Sequence, residues 1–271
     1  MIQQKNILIS GTTSGIGRAT ALRLARENHN IITLNRPGSR EEKAFQKLQA
    51  TGTGTKHRYF ADLSTARAVR EAAAEIAREI PHLDVLINNA GVFQTKERLS
   101  KDNTELTFAV NVRAPVIITG TLLPLLKKAN SGRVLFVSSE LYKRANVNGD
   151  NPFSIGKFKS SNAYAHSKML VSLLAEVLAE NYPEVKYYSL HPGVIATEVF
   201  RGYPKIISTL LNKMLPGPDK AAELLSSLAL ESQKEPNGSY FMENVPTPLV
   251  KPPQAEQVKV QLLEYFKNQS A

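Results

Sequence analysis

The chain contains no cysteine, which excludes a disulfide framework, a thiolate nucleophile and any metal site built on thiolate. Its five histidines do not fall with carboxylates at metal-ligand spacing, so no metal is expected. No apolar run approaches the ~20 residues of a membrane span, and nothing at the N-terminus reads as a secretory signal. The expectation is a soluble, cytoplasmic protein without a transmembrane segment. On that reading Asn237-Gly238-Ser239 and Asn268-Gln269-Ser270, which match the glycosylation acceptor pattern, are chance. Dense basic runs, aromatic-interleaved basic stripes and zinc-finger spacings are also missing. The net charge of +10 therefore points to a scattered basic surface that steers a phosphate-bearing small ligand, with no nucleic acid as partner. Without a linker rich in Gly, Ser or charge, and without an internal repeat, residues 1–271 read as one domain.

Short apolar runs alternate with amphipathic helical stretches from end to end. Strands are expected at Ile7 to Ile9, Asn30 to Leu34, His57 to Phe60, Val85 to Ile87, Arg133 to Val137, Val185 to Leu190 and Ser239 to Met242. The Val85 run is apolar throughout, as a parallel sheet covered on both faces requires. Ser64 reads as the N-cap of a helix reaching about Glu79. A helix from near Thr104 through Asn111 to about Lys128 is expected to be interrupted or kinked at Pro115. This alternation implies an α/β, doubly wound fold.

The polar and glycine-bearing clusters fall at the C-terminal ends of the strands, where open α/β sheets place ligands. Ser10-Gly11-Thr12-Thr13-Ser14-Gly15-Ile16-Gly17 lies between the first strand and a helix carrying Ala19, Leu22, Leu24 and Ala25. Glycines let the backbone approach a pyrophosphate, and the helix N-terminus offers free N–H groups. About 20 residues beyond such a loop, a carboxylate would hold the ribose 2′-hydroxyl of NAD, whereas an arginine accommodates the 2′-phosphate of NADP. The chain has Asn35-Arg36 there, so NADP(H) is preferred and NAD(H) stays open.

Tyr164-Ala165-His166-Ser167-Lys168 opens an amphipathic helix reaching about Tyr182. Residues four apart share a helix face, so the phenol and the ammonium can meet in one pocket. A cation beside a phenol favours the phenolate, which would bring Tyr164 toward use as an acid or base. His166, two residues on, points elsewhere and is read as structural. Taken alone, a Tyr and a Lys four apart are common on solvated helices.

The order Ser-Gly-x-x-x-Gly-x-Gly at 10 to 17, Asn-Asn-Ala-Gly at 88 to 91, Asn111, Ser139, Tyr164-x-x-x-Lys168 and Pro192-Gly193 resembles the short-chain dehydrogenase/reductase family over essentially the whole chain. The resemblance implies a seven-stranded parallel sheet in the order 3-2-1-4-5-6-7 and a catalytic tetrad of Asn111, Ser139, Tyr164 and Lys168. It implies that Gly11, Ser14, Gly15, Ile16 and Gly17 meet the pyrophosphate region and that Arg36 meets the 2′-phosphate. Asp62 and Leu63 would lie on the adenine side, and Asn89, with Ala90 and Gly91, along the adjoining ribose. Tyr164 and Lys168 would reach the nicotinamide ribose; Pro192, Gly193 and Thr197 would lie by the carboxamide or the phosphates. The family usually begins its glycine motif with Thr; Ser10 keeps the hydroxyl.

The interval of 25 positions from Ser139 to Tyr164 is longer than in compact members. Together with Tyr-x-x-Ser-Lys and the Gly-Ser-Tyr-Phe of the last strand, it is similar to the retinol dehydrogenase-like branch. That likeness implies an NADP(H)-dependent oxidoreductase interconverting a carbonyl and an alcohol on an apolar small molecule. Many relatives pair through the helices bearing Asn111 and Tyr164 whereas membrane-associated ones behave differently, so a homodimer or homotetramer is one option and the oligomeric state stays open. Ile206, Ile207, Leu210, Leu211, Met214 and Leu215 form an apolar helical stretch where the family has a substrate lid, and equally suit packing on the body of the protein. The polar insert from Glu140 to Asn162 is expected to border the entrance. A non-catalytic dinucleotide sensor or scaffold on the same fold is the alternative function, disfavoured by the complete tetrad.

Overall fold

Ile7-Leu8-Ile9, Val85-Leu86-Ile87 and Val134-Leu135-Phe136 are apolar at every position because the sheet they build is covered on both faces. The computed structural model describes residues 3–193, 217–231 and 234–270. Its strands are β1 (Asn6–Ser10), β2 (Asn30–Asn35), β3 (Lys56–Phe60), β4 (Val85–Asn88), β5 (Arg133–Val137), β6 (Lys186–His191), β7 (Tyr240–Met242) and β8 (Val245–Pro246). They lie in the order β3-β2-β1-β4-β5-β6-β7-β8. The expected seven-strand parallel order is present, and a two-residue strand extends it: β8 turns back antiparallel on β7. So short a strand, ending in proline, blunts the sheet edge.

The helices are α1 (Gly15–Arg26), α2 (Ser39–Gln49), α3 (Ala66–Glu79), α4 (Ala114–Lys127), α5 (Ser160–Asn181), α6 (Asp219–Leu230) and α7 (Ala255–Ser270). Successive strand residues point to opposite faces. Ile7, Ile9, Ile87 and Leu135 meet α1 and α6 on one side. Leu8, Leu86, Val134 and Phe136 meet α3, α4, α5 and α7 on the other. On α7 the stripe Val258, Leu262 and Phe266 is almost wholly buried. Each such side chain contributes roughly 1.5–3 kcal/mol by leaving water.

The interruption expected at Pro115 is present, and two local expectations are corrected. The helix through Asn111 is irregular before Pro115: a turn at Leu106–Phe108 passes into a π turn at Ala109–Arg113 and only then into α4. The Ala114 N–H reaches back five residues to the Ala109 carbonyl. Pro115 has no N–H to give the Asn111 carbonyl at the usual four-residue separation, so an α register there would be one bond short. Ser64 does not cap α3; its hydroxyl bonds Asp62 Oδ1 at 2.8 Å, while the Ala66 N–H is taken by distant Asp102 at 3.0 Å. Finally, the stretch Leu106–Lys127 is long and apolar enough to cross a membrane by composition, against the sequence expectation. Most of it is buried here, which is how the core helix of an α/β fold reads.

Candidate active site

The glycine loop follows β1 and is held from three sides. Ser10 Oγ accepts the N–H groups of Asn89 and Ala90, each at 3.1 Å. Asn89 Nδ2 donates to the Ser10 and Gly11 carbonyls at 2.9 and 3.1 Å. Asn35 Oδ1 accepts the Thr12 N–H at 2.7 Å, and its Nδ2 donates to Thr12 Oγ1 at 2.9 Å. The amide nitrogen of Asn89 is thereby committed to the loop backbone. Gly11 adopts φ +75°, and a Cβ there would stand 3.0 Å from the Ala90 Cα. A Cβ on Gly17 would run into the Gly11 carbonyl and the Asn89 amide.

This cradle fits a dinucleotide. Ser14 precedes α1 but makes no side-chain bond to it, so the N–H groups of the first turn, at Gly15, Ile16 and Gly17, are left for a phosphate. Arg36 is exposed beyond β2, and Asp62 and Leu63 lie just past the end of neighbouring β3.

The second cluster lies past the ends of β4 and β5. Asn111, in the π turn, is bound through both ends of its amide. Oδ1 accepts the Val92 N–H at 2.8 Å, and Nδ2 donates to the Val92 carbonyl and to Ser167 Oγ, both at 3.0 Å. Ser167 in turn donates to the Tyr164 carbonyl at 2.7 Å. Lys168 is buried and donates from Nζ to the Val137 carbonyl at 2.8 Å. The same Nζ stands 5.4 Å from the centroid of the Tyr164 ring. A Cβ on Gly91 would lie 3.4 Å from Asn111 Oδ1 and 3.5 Å from Lys168 Nζ, so these two side chains converge beside that glycine. Ser139 starts a 3-10 turn, Glu140–Arg144, where its Oγ accepts the Leu141 N–H at 3.3 Å. Its hydroxyl favours ionisation of the Tyr164 phenol.

The electrostatics differ from the expectation. Burial pushes the Tyr164 phenol up to about 12, against the downward pull of the Ser139 hydroxyl. Burial likewise lowers Lys168 to about 8, with no carboxylate in ion-pair distance among the described residues. Burial thus disfavours the charged form of both groups. His166 is buried, and burial lowers it to about 4, against the upward pull of the Pro152 carbonyl.

The matching family model is that of the short chain dehydrogenases, over residues 5–205. The chain belongs to the short chain dehydrogenase family. It is an NAD(P)-binding oxidoreductase of that family's retinol dehydrogenase-like branch. Human retinol dehydrogenase 14 is 33% identical over 264 residues, covering 89% of this chain and 79% of that one. Human retinol dehydrogenase 13 is 31% identical over 255 residues, covering 89% and 76%. Among solved structures, a short chain dehydrogenase from Salmonella enterica serovar Typhi superposes with a TM-score of 0.71 at 25% identity, covering 90% of this chain and 97% of that one. An alcohol dehydrogenase from Thermococcus sibiricus, solved with 5-hydroxy-NADP, gives 0.70 at 23% identity, covering 91% and 100%.

Within this short chain dehydrogenase, Asn111, Ser139, Tyr164 and Lys168 come together as the motif order implies. Pro192 and Gly193 follow β6 at the same sheet edge, with Gly193 at φ +91°. Thr197 and the stretch from Ile206 to Leu215 lie outside the described residues. The expected entrance insert is anchored elsewhere over its middle. Its Gly149 exchanges hydrogen bonds with Gln254 and Gln261, and the Phe153 ring packs 4.6 Å from that of Tyr265 on α7. Motif reading passed over Ser167, although the Ser-Lys pair carried its signal, and passed over the bracing by Ser10 and Asn35.

Proposed function

We propose that this chain is an NADP(H)-dependent carbonyl reductase acting on apolar small molecules, with Tyr164 as proton donor. The observation that carries the reading is the convergence of Lys168 and Asn111 beside Gly91, with Lys168 Nζ 5.4 Å from the centroid of the Tyr164 ring. When bound, the nicotinamide supplies or accepts the hydride. Every other task falls to side chains already in place. The Ser139 hydroxyl hydrogen-bonds the substrate oxygen and stabilises the charge that develops on it. Tyr164 transfers its proton to that oxygen; burial pushes the phenol up to about 12, so it carries that proton at neutral pH. Lys168 holds the nicotinamide ribose and steadies the phenolate left behind. Asn111 keeps the Val92 backbone and the helix of Tyr164 in register through Ser167.

Arg36, exposed at the end of β2, supports a preference for the 2′-phosphate. The solved complex of the Thermococcus relative with an NADP derivative is in keeping with that choice. The retinol dehydrogenase relatives, together with Phe93 packed 5.3 Å from the Tyr164 ring, support an apolar substrate. For assembly, we read the chain as unable to pair through α4 and α5 while α7 packs on both, with Ser270 Oγ lying where a Cβ on Gly120 would fall.

The test is a titration of NADPH and NADH followed by turnover on a panel of apolar aldehydes and ketones. Tighter binding of NADPH with carbonyl reduction is expected. Binding without turnover on any carbonyl or alcohol would move the reading to a dinucleotide sensor, and failure of both nucleotides to bind would remove the cofactor assignment for this chain.

A further inference from the structure

Arg113 closes the π turn, two residues after Asn111, and is almost wholly buried. Its guanidinium donates to three oxygens: Thr104 Oγ1 at 2.6 Å, the Ser64 carbonyl at 2.7 Å and Asp102 Oδ1 at 2.9 Å. Ser64 is bound to Asp62 through both its N–H and its hydroxyl, so the guanidinium is fastened to the segment that carries Asp62 and Leu63. Asp102 completes the clamp. Its second oxygen accepts the Ala66 N–H at the start of α3, and Ser100 Oγ donates to the first at 2.5 Å. Burial would raise this carboxyl, but the bonds from Ser100, Ala66 and Arg113 hold it well below the usual carboxylate range. The anion facing Arg113 is therefore permanent at any working pH.

A planar guanidinium with donors fixed in a fork cannot follow one of three oxygens without moving relative to the others. The π turn at the other end of this side chain is the irregular element in the helix that carries Asn111. We propose that Arg113 is a positioning residue that couples occupation of the adenosine subsite at Asp62-Leu63 to the geometry of the Asn111 turn. The inference rests on the proposed placement of the cofactor. Binding of the adenosine half fixes the Asp62–Ser64 segment, the Ser64 carbonyl fixes the guanidinium, and the guanidinium fixes the turn that holds Val92 and Ser167. In this way binding energy gained far from the reacting carbon sharpens the site where the proton moves.

The experiment uses the full chain and 2′,5′-ADP, the adenosine half of NADP, which cannot itself react. Amide hydrogen exchange across 106–114 is measured with and without saturating 2′,5′-ADP in the wild type, Arg113→Lys and Thr104→Val. In the wild type the ligand is expected to slow exchange in this segment about tenfold, within the range of measured couplings. Thr104→Val, which keeps the bond to Ser64, should retain the effect; Arg113→Lys should bind 2′,5′-ADP nearly as well and lose it. Loosening of the fold alone would speed exchange in both states and leave the ratio unchanged, and that result overturns the proposal. So does an unchanged segment in wild type carrying bound 2′,5′-ADP. Should Arg113→Lys not fold, Asp102→Asn, which keeps the shape but removes the anion steering the guanidinium, is read by the same ratio. Absence of any 2′,5′-ADP binding to wild type, seen in the titration itself, would sink the cofactor placement and this inference with it.

Discussion

Around the glycine loop, side chains serve the backbone: Ser10, Asn35 and Asn89 spend their polar atoms holding main-chain N–H and C=O groups in place. Around Tyr164 the backbone serves the side chains. The Val137 carbonyl holds Lys168, and the N–H and carbonyl of Val92 hold Asn111. A phosphate is recognised by a shape made of N–H groups, so the first region has to be rigid and closely approached. A proton is moved by a group whose charge state its surroundings control, so the second region buries ionisable groups and holds them by neutral partners. Damage to the first should be steric, and damage to the second chemical.

The sharpest separation comes from Tyr164→Phe, which leaves the ring packed on Phe93 but removes the proton. Turnover of a carbonyl substrate should fall by about 10³-fold or more while the dissociation constant for NADPH stays within about twofold. Comparable losses in binding and turnover would mean that the two regions are not separable. Next in size is Gly17→Ala. Its methyl meets the Gly11 carbonyl and the Asn89 amide, and the loop can yield only by breaking its brace. A loss of roughly 1–3 kcal/mol in stability to urea is expected, with NADPH binding falling more than tenfold. Arg36→Ala removes an exposed charge and nothing from the cradle. Its expected effect is about tenfold on NADPH affinity and none on NADH, read as a ratio of dissociation constants.

The smallest effect is on stability. Burial lowers Lys168 to about 8 from 10.5, so the folded chain carries a costly ammonium below about pH 8. Between these values the unfolded chain binds a proton that the folded chain has released, and stability must rise with pH. Comparing denaturation midpoints of wild type and Lys168→Met across pH 7 to about 10.5 isolates this contribution. The variant should be the more stable of the two at pH 7, with the gap narrowing as pH rises. A gap independent of pH would show that Lys168 is not desolvated in the fold.

How far the chain could be read without coordinates follows the same division. Gly11, Gly15 and Gly17 were legible because a tight turn and a close approach restrict residue type to one. Tyr164 and Lys168 were legible because helical spacing places them on one face. The cap on α3 was not. Ser64 stands where local rules put a cap, but its hydroxyl is drawn to Asp62, and the acceptor comes from Asp102, 36 residues away. The π turn escaped for a related reason: Pro115 marks a broken bond, and the helix mends it upstream, at Ala109–Arg113. Leu106–Lys127 is more apolar than the sequence reading allowed, since a helix covered by α3, α5 and α7 has no need of a polar face.

The amino-acid sequence by itself determined the order of strands and helices, the glycine cradle and the residue types at the proton-transfer centre. Each of these depends on neighbours within a few positions, through φ, side-chain period or helix phase. Only the tertiary structure decided the burial that shifts Tyr164 and Lys168, the clamp of Arg113 across residues 64 to 104, and the covering of α4 and α5 by α7. These depend on which distant groups exclude water from a given atom, and desolvation is a property of the packed whole.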